Sequence, residues 1–271
     1  MKTILVHLAN DEGRLRRLRT ALSLASAHHA HVIGLFTRSP YVTPPAIVGR
    51  GASSAFLREM EAGLRDQEQQ VRAEFEGAVA KTSVSAEWLH QDGEIIQALA
   101  YNSHVADLLV VSQTPQETVE DIVTGSRPDH VMLEAGCPVL VVPHGDGDTE
   151  AGRNVLISWA RTREASRAVR SALPILRRAA SVTILTCRAT RARPGEAVKA
   201  YLARHDVRAE IRVDFGDNDE VGEIVLAHAE EMSADLIVMG AYGHSRLREM
   251  ILGGTTRHVL SHSTIPVLMS H

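Results

Sequence analysis

Asp107-Leu108-Leu109-Val110-Val111 recurs 128 residues later as Asp235-Leu236-Ile237-Val238-Met239. Carried forward without a gap, residues 107–143 lie over 235–271, and nine of these 37 positions are identical: Asp107/Asp235, Leu108/Leu236, Val110/Val238, Gly125/Gly253, His130/His258, Val131/Val259, Pro138/Pro266, Val139/Val267 and Leu140/Leu268. The openings repeat as well, Ile4-Leu5-Val6 against Val155-Leu156-Ile157. One unit of about 130 residues therefore occurs twice. The units are read as residues 1–144 and 152–271, joined by a short polar, glycine-containing link that ends at Ala151.

Inside each unit aliphatic runs alternate with helically spaced apolar residues. In the first, strands are expected over 3–8, 31–37, 84–89, 107–111 and 138–142, with helices over 14–28, 54–81, 93–104 and 126–134. In the second, strands are expected over 154–159, 181–187, 208–213, 235–239 and 266–269, with helices over 163–178, 195–204, 221–232 and 255–261. Near-continuous aliphatic strands separated by amphipathic helices indicate parallel sheets covered on both faces. Right-handed crossovers make each unit a doubly wound α/β sandwich of five strands. The fold class is thus two tandem five-stranded parallel-sheet domains, with ligands expected beyond the carboxyl ends of the strands. The closing strands 138–142 and 266–269 are apolar edges, which should pair with each other as an internal pseudo-dimer or across chains as a homodimer. An addition in the first unit, Arg38–Ala55, is rich in proline and glycine and reads as a long loop, either a lid or partner contact or surface decoration.

The 271 residues are 44% hydrophobic and 23% charged, with a formal net charge of −4. No global basic field attracts nucleic acid or an anionic membrane. Aromatic residues at 4% are too few for a base-stacking platform. Cys137 and Cys187 each sit in an apolar run and read as buried thiols. The apolar run at the N-terminus is too short for a signal-peptide core, and no stretch is long enough to span a membrane. A cytoplasmic protein is expected.

The chemistry concentrates after the strand ending at Met239. Gly240-Ala241-Tyr242-Gly243 follows, and Gly253-Gly254-Thr255-Thr256 opens the final helix, so the spacing is Gly-x2-Gly-x9-Gly. Glycines let backbone N–H groups approach an anion, and a helix N-terminus favours negative charge. Hydroxyls of Thr255 and Thr256 add donors, and Arg246 and Arg248 add charge. A purely conformational role, Gly240 turning the chain and Gly253-Gly254 starting a helix, is the competing reading. The pattern is neither GxGxxG nor GxxxxGK[ST], which disfavours a dinucleotide site and a P-loop.

These residues, the mirrored DLLVVS and the closing PVLVV and PVLMS strands resemble a tandem universal stress protein over the full length of the chain. The resemblance implies the adenine-nucleotide alpha-hydrolase-like fold and a nucleotide pocket in the second unit. Ser158, Ala160, Cys187 and Met239 would line its nucleoside side. Gly240, Gly243, His244, Gly253, Gly254, Thr255 and Thr256 would hold ribose and phosphates. The implied ligand is ATP, with Mg2+ as its companion. Gly254 departs from the family's Ser/Thr at that place, and Ala9 and Ala160 stand where the family has an acidic residue. In the first unit Ser112-Gln113-Thr114-Pro115 replaces the first two glycines and Pro115 lacks an N–H, so only Gly125-Ser126 survives. That unit reads as a degenerate, structural copy.

Fourteen histidines suggest metal, but no cysteine or acidic partner stands at ligand spacing, so no metal site is expected. No GxSxG or HExxH occurs. The chain is expected to be no enzyme beyond slow ATP hydrolysis. The leading function is a stress-response regulator that binds an adenine nucleotide. The alternative is a scaffold that works through protein contacts without nucleotide.

Overall fold

The computed structural model describes residues 1–38, 54–113, 128–145, 150–187, 195–216, 221–241 and 254–271. The first half contains β1 (Thr3–Leu8), α1 (Arg14–His28), β2 (His31–Arg38), α2 (Ser54–Val79), β3 (Ala86–Asp92), α3 (Ile95–Ser103), β4 (Leu108–Ser112), a 3-10 helix (Pro128–Leu133) and β5 (Val139–Val142). The second half contains β6 (Asn154–Ser158), α4 (Arg163–Leu176), β7 (Ser181–Cys187), α5 (Glu196–Ala203), β8 (Glu210–Asp214), α6 (Val221–Glu231), β9 (Leu236–Gly240), α7 (Thr255–His262) and β10 (Val267–Ser270).

Local chemistry sets several of these boundaries. Thr162 caps α4 by accepting from the Ala165 N–H, and Glu94 caps α3 by accepting from Ile96 and Gln97. Helix α1 stops where His29 turns left-handed at φ 50° and its N–H returns to the Ala25 and Ser26 carbonyls. The strands are aliphatic because both faces are covered. Helices α1, α2, α4 and α5 bury Leu18, Phe75, Val169 and Leu202 on one face. Helices α3, α6 and α7 and the 3-10 helix bury Leu99, Val225, Val259 and Val131 on the other. Along α2, Arg72 pairs with Glu76 at 2.8 Å on an exposed face, as expected for a solvated stripe of charge.

The two expected sheets are joined into one. Ten strands run in the order β3-β2-β1-β4-β5-β10-β9-β6-β7-β8. All neighbours are parallel except β5 and β10, which pair antiparallel as Val141↔Val267, Leu140↔Leu268 and Val139↔Met269. Leu140 and Leu268 are repeat equivalents, so the junction is centred on a self-complementary contact. These two edges pair with each other within the chain, and β3 and β8 form the outer edges. In each half the chain reverses direction across the sheet between β1 and β4, and between β6 and β9, leaving a crevice at the carboxyl ends.

The expected helix over 126–134 is, where described, a 3-10 helix from Pro128 to Leu133, and residues 126 and 127 lie outside the described residues. Short 3-10 turns of this kind are common as connectors before a strand. Most of the Arg38–Ala55 addition also lies outside the described residues.

Candidate functional site

Asp107 and Asp235, the repeated acids, do not belong to a ligand site. Both lie at the amino ends of the strands. The Asp107 carboxylate accepts from the N–H groups of Lys2, at 2.5 Å, and Thr3, at 3.0 Å. The Asp235 carboxylate accepts from the N–H groups of Gly152, Arg153 and Asn154 at 2.8–3.1 Å. Each acid fastens the start of the first strand of its half to the start of the fourth. Two grooves also open at these amino ends between the halves. One of about 300 Å³ is lined by Met1, Asp107, Cys137 and Arg170; the other, of about 270 Å³, by His28, Gly152, Arg153 and Arg178. Neither is lined by a residue expected to hold the nucleotide.

Those of the expected nucleotide residues that are described lie at the opposite end of the second half. Ser158 closes β6, half-buried, with Leu185 of β7 on one side and Met239 of β9 on the other. Met239 is buried at 5% exposure and Gly240 follows it at the strand end. Ala160 lies just past β6, exposed, its carbonyl held by the Thr162 N–H at 2.8 Å. Cys187 ends β7 opposite Asp214 of β8. Burial first, then the Asp214 charge, pushes its thiol up to about 11, so it is a protonated, weakly polar wall rather than a nucleophile. Asp214 is held in turn by His228 Nε2 at 2.9 Å and the Gly216 N–H at 2.8 Å, and these bonds keep its carboxyl below the usual range.

Gly254 is the N-cap of α7, extended at φ −64°, ψ 162°, and brings no side-chain acceptor to the first amides of the helix. A serine or threonine there would satisfy one of them itself. The departure from the family's residue therefore leaves the helix start more open to an external anion, not less. Thr255 is half-buried and Thr256 buried at 3% exposure, so Thr255 is the more accessible hydroxyl. Val259 and Leu260 pack in the same cluster as Met239 and Ala241, which fixes α7 beside the end of β9. Gly243, His244 and Gly253, with Arg246 and Arg248, lie outside the described residues.

Gly240 has a packing reason of its own. A Cβ on it would lie 2.4 Å from the Ala165 nitrogen and 2.9 Å from Glu164 Cβ. The start of α4 therefore leans on bare backbone. Its buried Glu164 sits at a helix N-terminus, its carboxyl held below the usual range against burial by its own N–H and the Thr162 hydroxyl.

The first half solves the same contact in reverse. Ser112 stands for Gly240, and Gly13 stands for Glu164; a Cβ on Gly13 would meet Ser112 Oγ at 2.5 Å. Where the second half has Ala168, the first has Arg17, only 1% exposed. Its guanidinium donates to the His7 carbonyl and Ser112 Oγ, both at 2.5 Å, and pairs with Asp11 at 2.8 Å. Arg14 adds a forked pair with Glu74 and bonds to the Ala9 carbonyl and Asn10. The crevice between β1 and β4 is filled by the chain's own cations. Sequence reading missed both arginines. The available signal was Arg14 and Arg17 on the apolar side of an otherwise amphipathic helix.

Among the described residues, no cluster of three His, Cys, Asp or Glu side chains could hold a metal ion. His258 and His262 stack at 4.3 Å on α7, and His258 packs over Gly222.

The model of the universal stress protein family matches residues 1–143 and 188–271. Universal stress protein Slr1230 of Synechocystis is 46% identical over 46 residues, 17% of this chain and 16% of that protein. Universal stress protein YxiE of Bacillus subtilis is 44% identical over 52 residues, 19% of this chain and 35% of that protein. The matches thus span well under half of these relatives. A solved universal stress protein from Archaeoglobus fulgidus superposes with a TM-score of 0.76 at 18% identity, covering 98% of this chain and 94% of that one. At that identity the likeness speaks for the fold.

Proposed function

The chain belongs to the universal stress protein family, and on that premise we propose that its second half binds an adenine nucleotide, ATP with Mg2+, at the crevice between β6 and β9. The start of α7 carries this reading: its N-cap, Gly254, brings no side chain of its own to the helix N-terminus, an end that favours an anion. Ser158, Ala160, Met239 and Cys187 would flank the nucleoside, and Thr255 with the Gly243–Gly253 loop would meet the phosphates. In the first half Arg17 fills the corresponding crevice, so one nucleotide per chain is expected. Residues 1–144 and 152–271 then act as an internal pseudo-dimer of a degenerate and a binding domain. The protein is read as a cytoplasmic regulator with at most slow ATP hydrolysis; no described helix is long and apolar enough to cross a membrane.

A scaffold role without nucleotide is favoured by one observation: buried Glu164 packs its backbone and Cβ against Gly240, which brings an acidic residue close to where a phosphate would sit. Gly254→Asp separates the two readings. An N-cap aspartate stabilises α7 by up to about 1 kcal/mol while placing a carboxylate where phosphate would bind. Calorimetric titration with MgATP should show one site in the wild type and at least about tenfold weaker binding in the variant, a loss of about 1.4 kcal/mol. A folded wild type that takes up no nucleotide leaves the scaffold reading.

A further inference from the structure

The far end of helix α7 is held by side chains of the first half through hydrogen bonds. Gln113, one residue past β4, donates its amide N–H to the Leu260 carbonyl oxygen in the last turn of α7. Arg16 of α1 donates through Nη2 to the Thr264 carbonyl at 3.2 Å, just beyond the helix. Its other nitrogen, Nη1, donates to the carbonyls of Pro143 at 3.0 Å and His144 at 2.8 Å, at the end of the first half. Arg16 is 8% exposed, and Gln113 is half-buried.

The last carbonyls of a helix have no partner within it and form the negative end of its dipole. A guanidinium and an amide N–H are the donors that suit them. Eight residues make a rod of about 12 Å, too short to bend. A grip on Leu260 and Thr264 therefore sets the position of Gly254–Thr256 along the helix axis. Val259 and Leu260 belong to the same apolar cluster as Val131 and Met132 of the first half.

We propose that Gln113 and Arg16, both outside the binding half, are positioning residues for its nucleotide site, acting through the C-terminal end of α7. The inference rests on the nucleotide reading above. It gives the first half a task its own filled crevice does not supply: holding the phosphate-facing amides of the second half where a ligand meets them without further ordering. It also makes the path reciprocal, because a ligand that orders the start of α7 tightens its end against Gln113 and Arg16.

The test uses the full chain. Gln113→Glu keeps the shape and replaces the donor with a carboxylate facing the Leu260 carbonyl; Gln113→Met removes the donor without charge and serves where the glutamate prevents folding. Arg16→Lys keeps the charge and loses the fork. Arg38→Ala, which breaks an exposed pair with Asp92 far from α7, is the control. MgATP affinity is measured by calorimetry, and amide exchange of residues 255–262 is followed without nucleotide. About tenfold weaker binding is expected for Gln113→Glu and about threefold for Gln113→Met and Arg16→Lys, with faster exchange in α7 and no change in the control. Affinities within twofold of wild type in every Gln113 and Arg16 variant, beside a wild type that binds, overturn the positioning role and leave the nucleotide reading intact. A wild type that binds no MgATP overturns both, whatever the exchange shows.

Discussion

At the scale of single residues, the two halves differ by exchanges that make sense only together. Gly13 makes room for Ser112, and Gly240 makes room for Glu164 and Ala165. Gly240→Ala should then destabilise the chain by about 1–3 kcal/mol, since the new methyl meets backbone that cannot rotate away. Urea midpoints at constant m-value would measure it; no shift would mean the start of α4 can move. Arg17 is the other critical residue. Arg17→Met keeps the bulk but leaves Asp11, the Ser112 hydroxyl and the His7 carbonyl without their shared donor. Because the Asp11 carboxylate is 36% exposed, the cost should come chiefly from the buried Ser112 and His7 acceptors and amount to about 1–3 kcal/mol. Addition of guanidinium at sub-denaturing concentration should restore part of it in Arg17→Ala, where the space is open. Equal stability of wild type and Arg17→Met would show that the filling cation is dispensable.

At the scale of elements, most of the architecture is legible because each strand carries its own signal. Aliphatic runs bounded by charged helix faces locate β1, β6 and β7 and the bounds of α1 to within a residue. The 3-10 helix is not legible, because a short apolar pattern is shared by both helix types. At the candidate site the sequence marks Gly240, where the start of α4 packs on bare backbone, and Gly254, an N-cap without a side chain. It is illegible where it depends on partners from distant sequence, as with Arg17 and Ser112. Pairing of β5 with β10 follows from exposed apolar edges, although the sequence alone leaves pairing within one chain and between chains open. Leu140 and Leu268 are 0% and 1% exposed at the centre of that junction. Leu140→Ala and Leu268→Ala should each cost about 2–5 kcal/mol. Because the two residues face each other, the double variant should depart from additivity by at least about 0.5 kcal/mol. Strict additivity would place the two halves in independent folding units despite the shared sheet.

At the scale of the whole molecule, the plugged first half should make stability depend on pH well above the carboxylate range. His7 is fully buried between strands, with Nε2 bonded to Thr37 Oγ1 at 3.0 Å. Burial first, then the neighbouring Arg17 charge, lowers its pKa from 6.5 to about 3. A folded-state pKa below the unfolded one means that the unfolded chain binds the proton and the native chain does not. The stabilisation is therefore complete above pH 6.5 and is lost as pH falls towards 3, at about 1.4 kcal/mol per pH unit. His28, lowered to about 4 chiefly by burial and then by Arg178, acts in the same direction over a shorter window. Asp11 and Asp107, both held below the usual carboxylate range, add to the loss only below about pH 4. Urea unfolding between pH 7.5 and 4.5 should thus show a midpoint that declines from about pH 6.5 downward. His7→Gln, whose amide nitrogen can still reach Thr37, should be less steep over the same range by about one proton's slope. An unchanged slope in that variant would mean that His7 is hydrated or protonated in the native chain, and that the crevice between β1 and β4 is open to water after all.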